Sequence, residues 1–205
     1  LKHALPITEN IHCLALNYRG VGDNSQDPLY FVKSLNAMCF SNSHVEYPQL
    51  SNQFWTEPEL AVFISEECHN VEASAVMEVI LGVTLGADLT CQNVHHRDHH
   101  LAFSKSRKNF CPVVEEYLSP TILDQSSEFV LRTFINGKLT QEGNTKDMKY
   151  NLLESISYIS RITELKRGDL ILTGTPAGVE NNILQRGDRV LHTLDDKLEL
   201  RFEVV

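Results

Sequence analysis

The chain has 205 residues, 42% of them hydrophobic and 22% charged, which is enough to bury the core of one soluble globular domain and far from a disordered composition. A formal net charge of −9 excludes the basic footprint that a nucleic-acid partner requires, so an anionic small molecule has to be captured by local cations or by a metal ion. No apolar run approaches the ~20 residues needed to cross a bilayer, and the N-terminus lacks the charged-then-apolar layout of a secretory signal. The cytosol is therefore the expected compartment, with no membrane partner, for a chain that begins at Leu1 rather than methionine.

In chain order, residues 12–16 and 60–64 read as strands from their apolar or alternating pattern. Residues 71–81 have helical period behind Asn70 as a candidate N-cap. Strands are expected again at 82–89 and 129–135, and Asn136-Gly137 between apolar arms signals a type I′ hairpin. A second helix is expected at about 151–165, where Leu152, Ile156 and Ile159 share one face. Strands at 170–173, 189–194 and 198–205 follow, two of them opened by Gly168-Asp169 and Gly187-Asp188 as tight turns. The expected class is mostly β with few helices (α+β), in a single domain spanning 1–205 without internal repeats. Five scattered cysteines (Cys13, Cys39, Cys68, Cys91, Cys111) without C-x-x-C spacing argue against a disulfide framework or a thiolate zinc site and read as buried thiols.

Chemistry concentrates at Glu57-Pro58-Glu59, followed by Asp88 and Lys105. Carboxylates at i and i+2 on a strand point to the same side and converge. Three carboxylates meeting in one cleft repel unless they are protonated or neutralised by a cation, and hard oxygens without His or Cys favour Mg²⁺, Mn²⁺ or Ca²⁺ over zinc. An isolated E-x-E is more often a solvated strand edge, and Pro58 between the two acids suits only an edge or a bulge.

The surrounding residues carry more. Leu16-Asn17-Tyr18, Phe31-Val32-Lys33, Glu57-Pro58-Glu59-Leu60, Asp88-Leu89-Thr90, Lys105-Ser106 and Asn136-Gly137-Lys138 are followed by two longer runs. These are Gln141-Glu142-Gly143-Asn144-Thr145-Lys146-Asp147-Met148 and Gly168-Asp169-Leu170-Ile171-Leu172-Thr173-Gly174-Thr175-Pro176-Ala177-Gly178-Val179. In that order and at those intervals the set resembles the catalytic domain of the fumarylacetoacetate hydrolase family, from about Ile11 to Val205. The resemblance implies that family's β-roll, usually a homodimer, and metal ligands at Glu57, Glu59 and Asp88. It makes Lys105 an active-site lysine whose ammonium balances an oxyanion or a substrate carboxylate. Thr175 matches a threonine that contacts substrate carboxylate, and Gly174 allows close backbone approach. Gln141 and Lys33 also match family positions in substrate binding; each can equally serve as a structural hydrogen bond or a surface charge.

Departures from the pattern bear on the reaction. Family hydrolases and decarboxylases carry a His-x-x-Glu pair on a lid to activate water, and here the aligned positions are Val21 and Asn24, neither of which takes a proton near neutral pH. The Arg-Asp that commonly follows the metal aspartate is Gln92-Asn93, leaving Arg97 or Arg107 as substitute cations. His95, His96, His99 and His100 cluster nearby, with His95 and His99 at i and i+4. The plain reading of that cluster is a polar loop, but His95 falls where relatives place a substrate-facing glutamine and is the best candidate for a replacement acid or base. Enolate chemistry needs no activated water. The expected function is thus a metal-dependent isomerase, tautomerase or decarboxylase of small anionic 2-oxo (di)carboxylic acids, acting through an enolate. Lys105-Ser106-Arg107 adds a likeness to the branch that isomerises and decarboxylates hydroxymuconate-type diacids. Alternatives are an acylpyruvate-type C–C hydrolase with His95 or Asp23 as base, and a metal-binding homologue without turnover.

Overall fold

The structure is a computed structural model and describes residues 2–4, 6–92, 98, 100–125 and 128–205. Among these, the strands are β1 (Lys2–Ala4), β2 (Ile11–Ala15), β3 (Leu29–Lys33), β4 (Met38–Phe40), β5 (Ser43–Val45), β6 (Phe54–Ile64) and β7 (Ile80–Cys91) in the first half. Then follow β8 (Cys111–Val113), β9 (Glu116–Leu118), β10 (Val130–Ile135), β11 (Lys138–Asn144), β12 (Leu170–Leu172), β13 (Arg189–Leu194) and β14 (Leu198–Val204). Four short helices complete the set: α1 (Val76–Val79), α2 (Ala102–Lys105), α3 (Ile122–Gln125) and α4 (Leu152–Ile162). The mostly β class expected from the sequence holds.

Two sheets form the body. The larger runs β1-β9-β7-β6-β12-β2-β3, with β8 paired to β7 and β4 to β8; the smaller runs β11-β10-β13-β14-β5. At the centre of the larger sheet β6 and β7 pair antiparallel along their full length, and their register sets Glu57 opposite Asp88 and Trp55 opposite Thr90. Alternation does the rest. Thr56 points toward the smaller sheet, where its hydroxyl meets His192 Nε2 at 2.7 Å, so Trp55, Glu57 and Glu59 point the other way. Pro58 is tolerated because β12 pairs only with Ala61, Val62 and Phe63, leaving β6 unflanked on that side at the proline.

The core lies between the sheets, with Phe54 stacked on Phe110 at 5.1 Å and Leu131, Leu200 and Phe202 across from them, all buried. His192 sits there fully buried between Thr56 and Thr133, and burial pushes its pKa down to about 3, so it is a neutral hydrogen-bonding residue. α4 starts at a capping box: the Asn151 side chain accepts from Glu154 N at 3.0 Å and Glu154 Oε2 accepts from Asn151 N at 2.9 Å. Ile156 and Ile159 are its buried face.

The expected helix at 71–81 is present only from Ala73 to Val79, in two short pieces. A 3₁₀ turn at Ala73–Ala75 and the single-turn α1 are followed by β7 from Ile80, and Asn70 takes a left-handed backbone (φ 55) instead of capping. The β-branched Ile80 favours the strand that pairs with β6. The 60–64 strand begins six residues earlier than its apolar run, so the E-P-E segment lies inside it. Asn136 and Gly137 both have positive φ (53 and 82) in a two-residue turn, as a type I′ hairpin requires. Of the cysteines, all free, Cys13, Cys91 and Cys111 are buried and Cys39 and Cys68 only partly so. No helix among the described residues is long and apolar enough to cross a membrane.

Candidate metal centre and its cleft

The β6–β7 register brings Glu57, Glu59 and Asp88 together, with one ligating oxygen from each lying within 4.8 Å of the others. Glu59 and Asp88 are each 1% exposed. Every carboxylate is held. The Gly174 N–H donates to Glu59 Oε2; Trp55 Nε1 (2.7 Å) and the Thr90 hydroxyl (3.1 Å) donate to Glu57 Oε1. Lys105 Nζ donates to Asp88 Oδ2 at 2.6 Å, Thr90 Oγ1 at 2.8 Å and Glu57 Oε2 at 3.1 Å. Lys33 Nζ donates to the other Asp88 oxygen and to the Phe110 carbonyl at 2.8 Å.

Three carboxylates therefore face two ammonium groups, a formal excess of one negative charge in a buried cluster. Burial, then Asp88 and Glu57, hold the Glu59 carboxyl well above the usual carboxylate range. Burial pushes Asp88 the same way, but Lys105 and Lys33 overcome it and keep its pKa low. Burial alone would pull the Lys105 ammonium down; Asp88 and Glu57 outweigh it and raise its pKa. Hard oxygens with excess negative charge fit a Mg²⁺- or Mn²⁺-like ion, and nothing in the donor set favours a soft one.

Lys105 reaches the cluster from α2, a single turn that follows Leu101 in a left-handed conformation. Asp98 fixes that turn by accepting from Ser104 N (2.7 Å), the Ser104 hydroxyl (2.6 Å) and Phe103 N (3.2 Å). Although burial pushes the Asp98 carboxyl up, these bonds bring it below the usual range.

Above the carboxylates opens a cleft of about 690 Å³, with Glu57, Thr90, Lys105 and Thr175 on its floor and Val21 on its wall. Thr175 belongs to a loop fastened by Gln141, whose Nε2 donates to the Pro176 (2.8 Å) and Ala177 (3.2 Å) carbonyls while Asn182 donates to its Oε1 at 2.6 Å. Gln141 thus lies behind the loop, Lys33 lies behind Asp88, and the Gly174 N–H is engaged by Glu59; of the four expected substrate contacts only Thr175 lines the cleft. Gly174 has φ +96, and a Cβ there would sit 3.1 Å from Asn17 Cβ.

His95 and Arg97 lie outside the described residues, as does His99. Asn24 is exposed and its side chain accepts from Gly20 N at 3.1 Å. Asp23 is bound to the N–H and hydroxyl of Ser25, which hold its carboxyl below the usual range, and it does not line the cleft. The Arg107 guanidinium stacks on Phe103 at 4.5 Å and is likewise absent from the cleft wall. Trp55, Thr90 and Asp98 were not singled out from the sequence. Trp55 and Thr90 were nonetheless signalled, since they sit two residues from Glu57 and Asp88 on the same strand faces.

The family profile described as fumarylacetoacetate (FAA) hydrolase C-terminal matches residues 10–205. The mitochondrial oxaloacetate tautomerase FAHD1 of Bos taurus is 31% identical over 204 residues, covering 93% of this chain and 92% of that protein. An uncharacterized Archaeoglobus fulgidus protein is 35% identical over 167 residues, and the alignment covers 80% of this chain but only 64% of that relative's length. Among solved structures, 2-hydroxyhepta-2,4-diene-1,7-dioate isomerase from Mycobacterium marinum superposes with a TM-score of 0.88 at 30% identity, covering 98% of this chain and 76% of that one. A profile match over nearly the whole sequence, together with a fold shared from end to end, means that the chain belongs to the fumarylacetoacetate hydrolase family.

Proposed function

We propose that this protein is a divalent-metal-dependent isomerase or tautomerase of small 2-oxo carboxylic acids, acting through an enolate, with decarboxylation of a β-keto acid as a related outcome. The observation that carries the reading is the convergence of Glu57, Glu59, Asp88 and Lys105 beneath a cleft lined in part by Val21. A bound divalent cation would supply Lewis-acid polarisation of the 2-oxo acid oxygens. The Lys105 ammonium, held at the cleft floor by Asp88 and Glu57, balances negative charge as it develops on the enolate oxygen. Thr175 is assigned the substrate carboxylate, with Gln141 holding its loop. Lys33 and the Gly174 N–H keep Asp88 and Glu59 oriented. Proton transfer between carbon and oxygen is assigned to His95, from its position in the sequence.

Val21 and Asn24 supply no base for water, which favours enolate chemistry over hydrolytic C–C cleavage. The test is to incubate the Mg²⁺-loaded protein with oxaloacetate, acylpyruvates and hydroxymuconate analogues, following enol absorbance, CO₂ and acid release separately. Enol interconversion or CO₂ release with little acid release is expected, and Val21→His with Asn24→Glu should raise acylpyruvate hydrolysis. Acylpyruvate hydrolysis by the natural protein as fast as its tautomerisation would replace this reading with a hydrolase. Absence of turnover with any divalent metal would leave a non-catalytic metal-binding homologue.

A further inference from the structure

The wall of the cleft facing the carboxylates is apolar. Leu16 and Leu101 both line it with left-handed backbones, φ 60 and φ 58, a conformation disfavoured for any residue with a Cβ. Leu101 packs partly against the core but Leu16 does not, and a strained leucine in a concave surface points to a use for its side chain there. Leu16 is 38% exposed and its neighbour in the wall, Leu29, is 46% exposed, so apolar area faces the cleft rather than the core. Gly22 makes room for it: a Cβ there would sit 3.1 Å from Leu16 Cδ2.

Charge points the same way. Among the described residues of the cleft Lys105 is the one Lys or Arg, and it is already bonded to Glu57 and Asp88. With a divalent ion added, three carboxylates, two ammoniums and the ion sum to one net positive charge, which matches a single substrate carboxylate. Further out, the cleft offers Glu180, which repels a second carboxylate.

We infer that the cleft selects a 2-oxo monocarboxylic acid with an uncharged apolar tail, the tail lying against Leu16, Val21 and Leu29, over 2-oxo dicarboxylic acids. The inference rests on the proposed metal-dependent 2-oxo acid reading and specifies the substrate class of that same site.

The test uses the Mg²⁺-loaded protein and a series sharing one reacting end: acetyl-, butanoyl- and hexanoylpyruvate against fumarylpyruvate and oxaloacetate. Dissociation constants from calorimetry are read alongside kcat/KM. Affinity should rise about fourfold per added methylene that the wall buries, equivalent to ~0.8 kcal/mol, and the dicarboxylates should bind at least about tenfold more weakly than butanoylpyruvate, the energy of one uncompensated contact. Leu16→Asn, which keeps a residue tolerant of positive φ, should flatten the chain-length slope, and Leu29→Lys at an exposed position should shift preference toward the dicarboxylates. A flat slope, or equal binding of mono- and dicarboxylates, overturns the inference while leaving the proposed chemistry standing. If no 2-oxo acid binds the metal-loaded protein, both fall together.

Discussion

Lys105→Met removes an ammonium whose side chain is 7% exposed and which lies 2.6 Å from Asp88 and 3.1 Å from Glu57, while keeping most of the aliphatic stem. Three carboxylates would then be left with Lys33 alone. Breaking a buried ion pair from one side costs roughly 3–5 kcal/mol, and at this burial little of it is screened. Lys33 still serves Asp88, so we take the lower end, about 3 kcal/mol. For a domain of this size each kcal/mol moves Tm by about 2–4 °C, so the metal-free variant should melt roughly 6–12 °C below wild type. Mg²⁺ replaces the lost charge, so the variant should bind it more tightly than wild type does; at a fixed concentration about a hundred times the variant's Kd, binding adds ~2.7 kcal/mol to the variant and less to wild type, and the deficit should shrink. Turnover should nonetheless fall by roughly 2–4 kcal/mol of transition-state stabilisation, about 30- to 1000-fold in kcat/KM. The assays are thermal melting in EDTA and in Mg²⁺, and steady-state kinetics. A variant with wild-type Tm in EDTA and full activity would refute the reasoning, and a Tm deficit untouched by Mg²⁺ would assign Lys105 to packing rather than charge.

Gly174→Ala, at φ +96 with Asn17 Cβ 3.1 Å and the Leu14 carbonyl 3.3 Å from the new methyl, should cost about 1–3 kcal/mol in urea denaturation. Burial holds His192 neutral with a pKa near 3 against 6.5 when unfolded, so its contribution is whole above pH 6.5 and is lost as pH falls toward 3, at about 1.4 kcal/mol per pH unit. The acid limb of the stability–pH curve should therefore be shallower in His192→Gln than in wild type, and parallel curves would contradict this. Asn151→Ala removes one half of the α4 capping box and should lower stability by about 1 kcal/mol, read as a shift in urea midpoint.

Local chemistry was legible in the sequence wherever it was short-range. The Asn136-Gly137 turn needs two positive-φ residues, α4 carries its cap and its apolar face within twelve positions, and Glu57 and Glu59 share a strand face by period two alone. The family motifs extended that reach to Asp88 and Lys105. Pairings between distant segments were not legible. That Asp88 lies directly across from Glu57 is a property of the β6–β7 register. The three-residue strands β4, β5, β8 and β9 are too short to show a period. At 71–81 the helical stretch ends at Val79 because β6 offers Ile80 onward a full ladder of partners. Lys33 and Gln141 matched substrate-binding positions, yet each makes its bonds one layer behind the cleft, a distinction that depends on side-chain direction and not on spacing.

The claim on which the rest depends is that Glu57, Glu59 and Asp88 hold a divalent cation. Calorimetric titration of the EDTA-stripped protein with Mg²⁺ and Mn²⁺ tests it, run on wild type and on Glu57→Gln, Glu59→Gln and Asp88→Asn, each confirmed folded by circular dichroism. Saturable binding of one ion per chain in wild type, abolished or weakened at least about tenfold (~1.4 kcal/mol) in each variant, is expected. Binding of equal affinity in wild type and all three variants would contradict it.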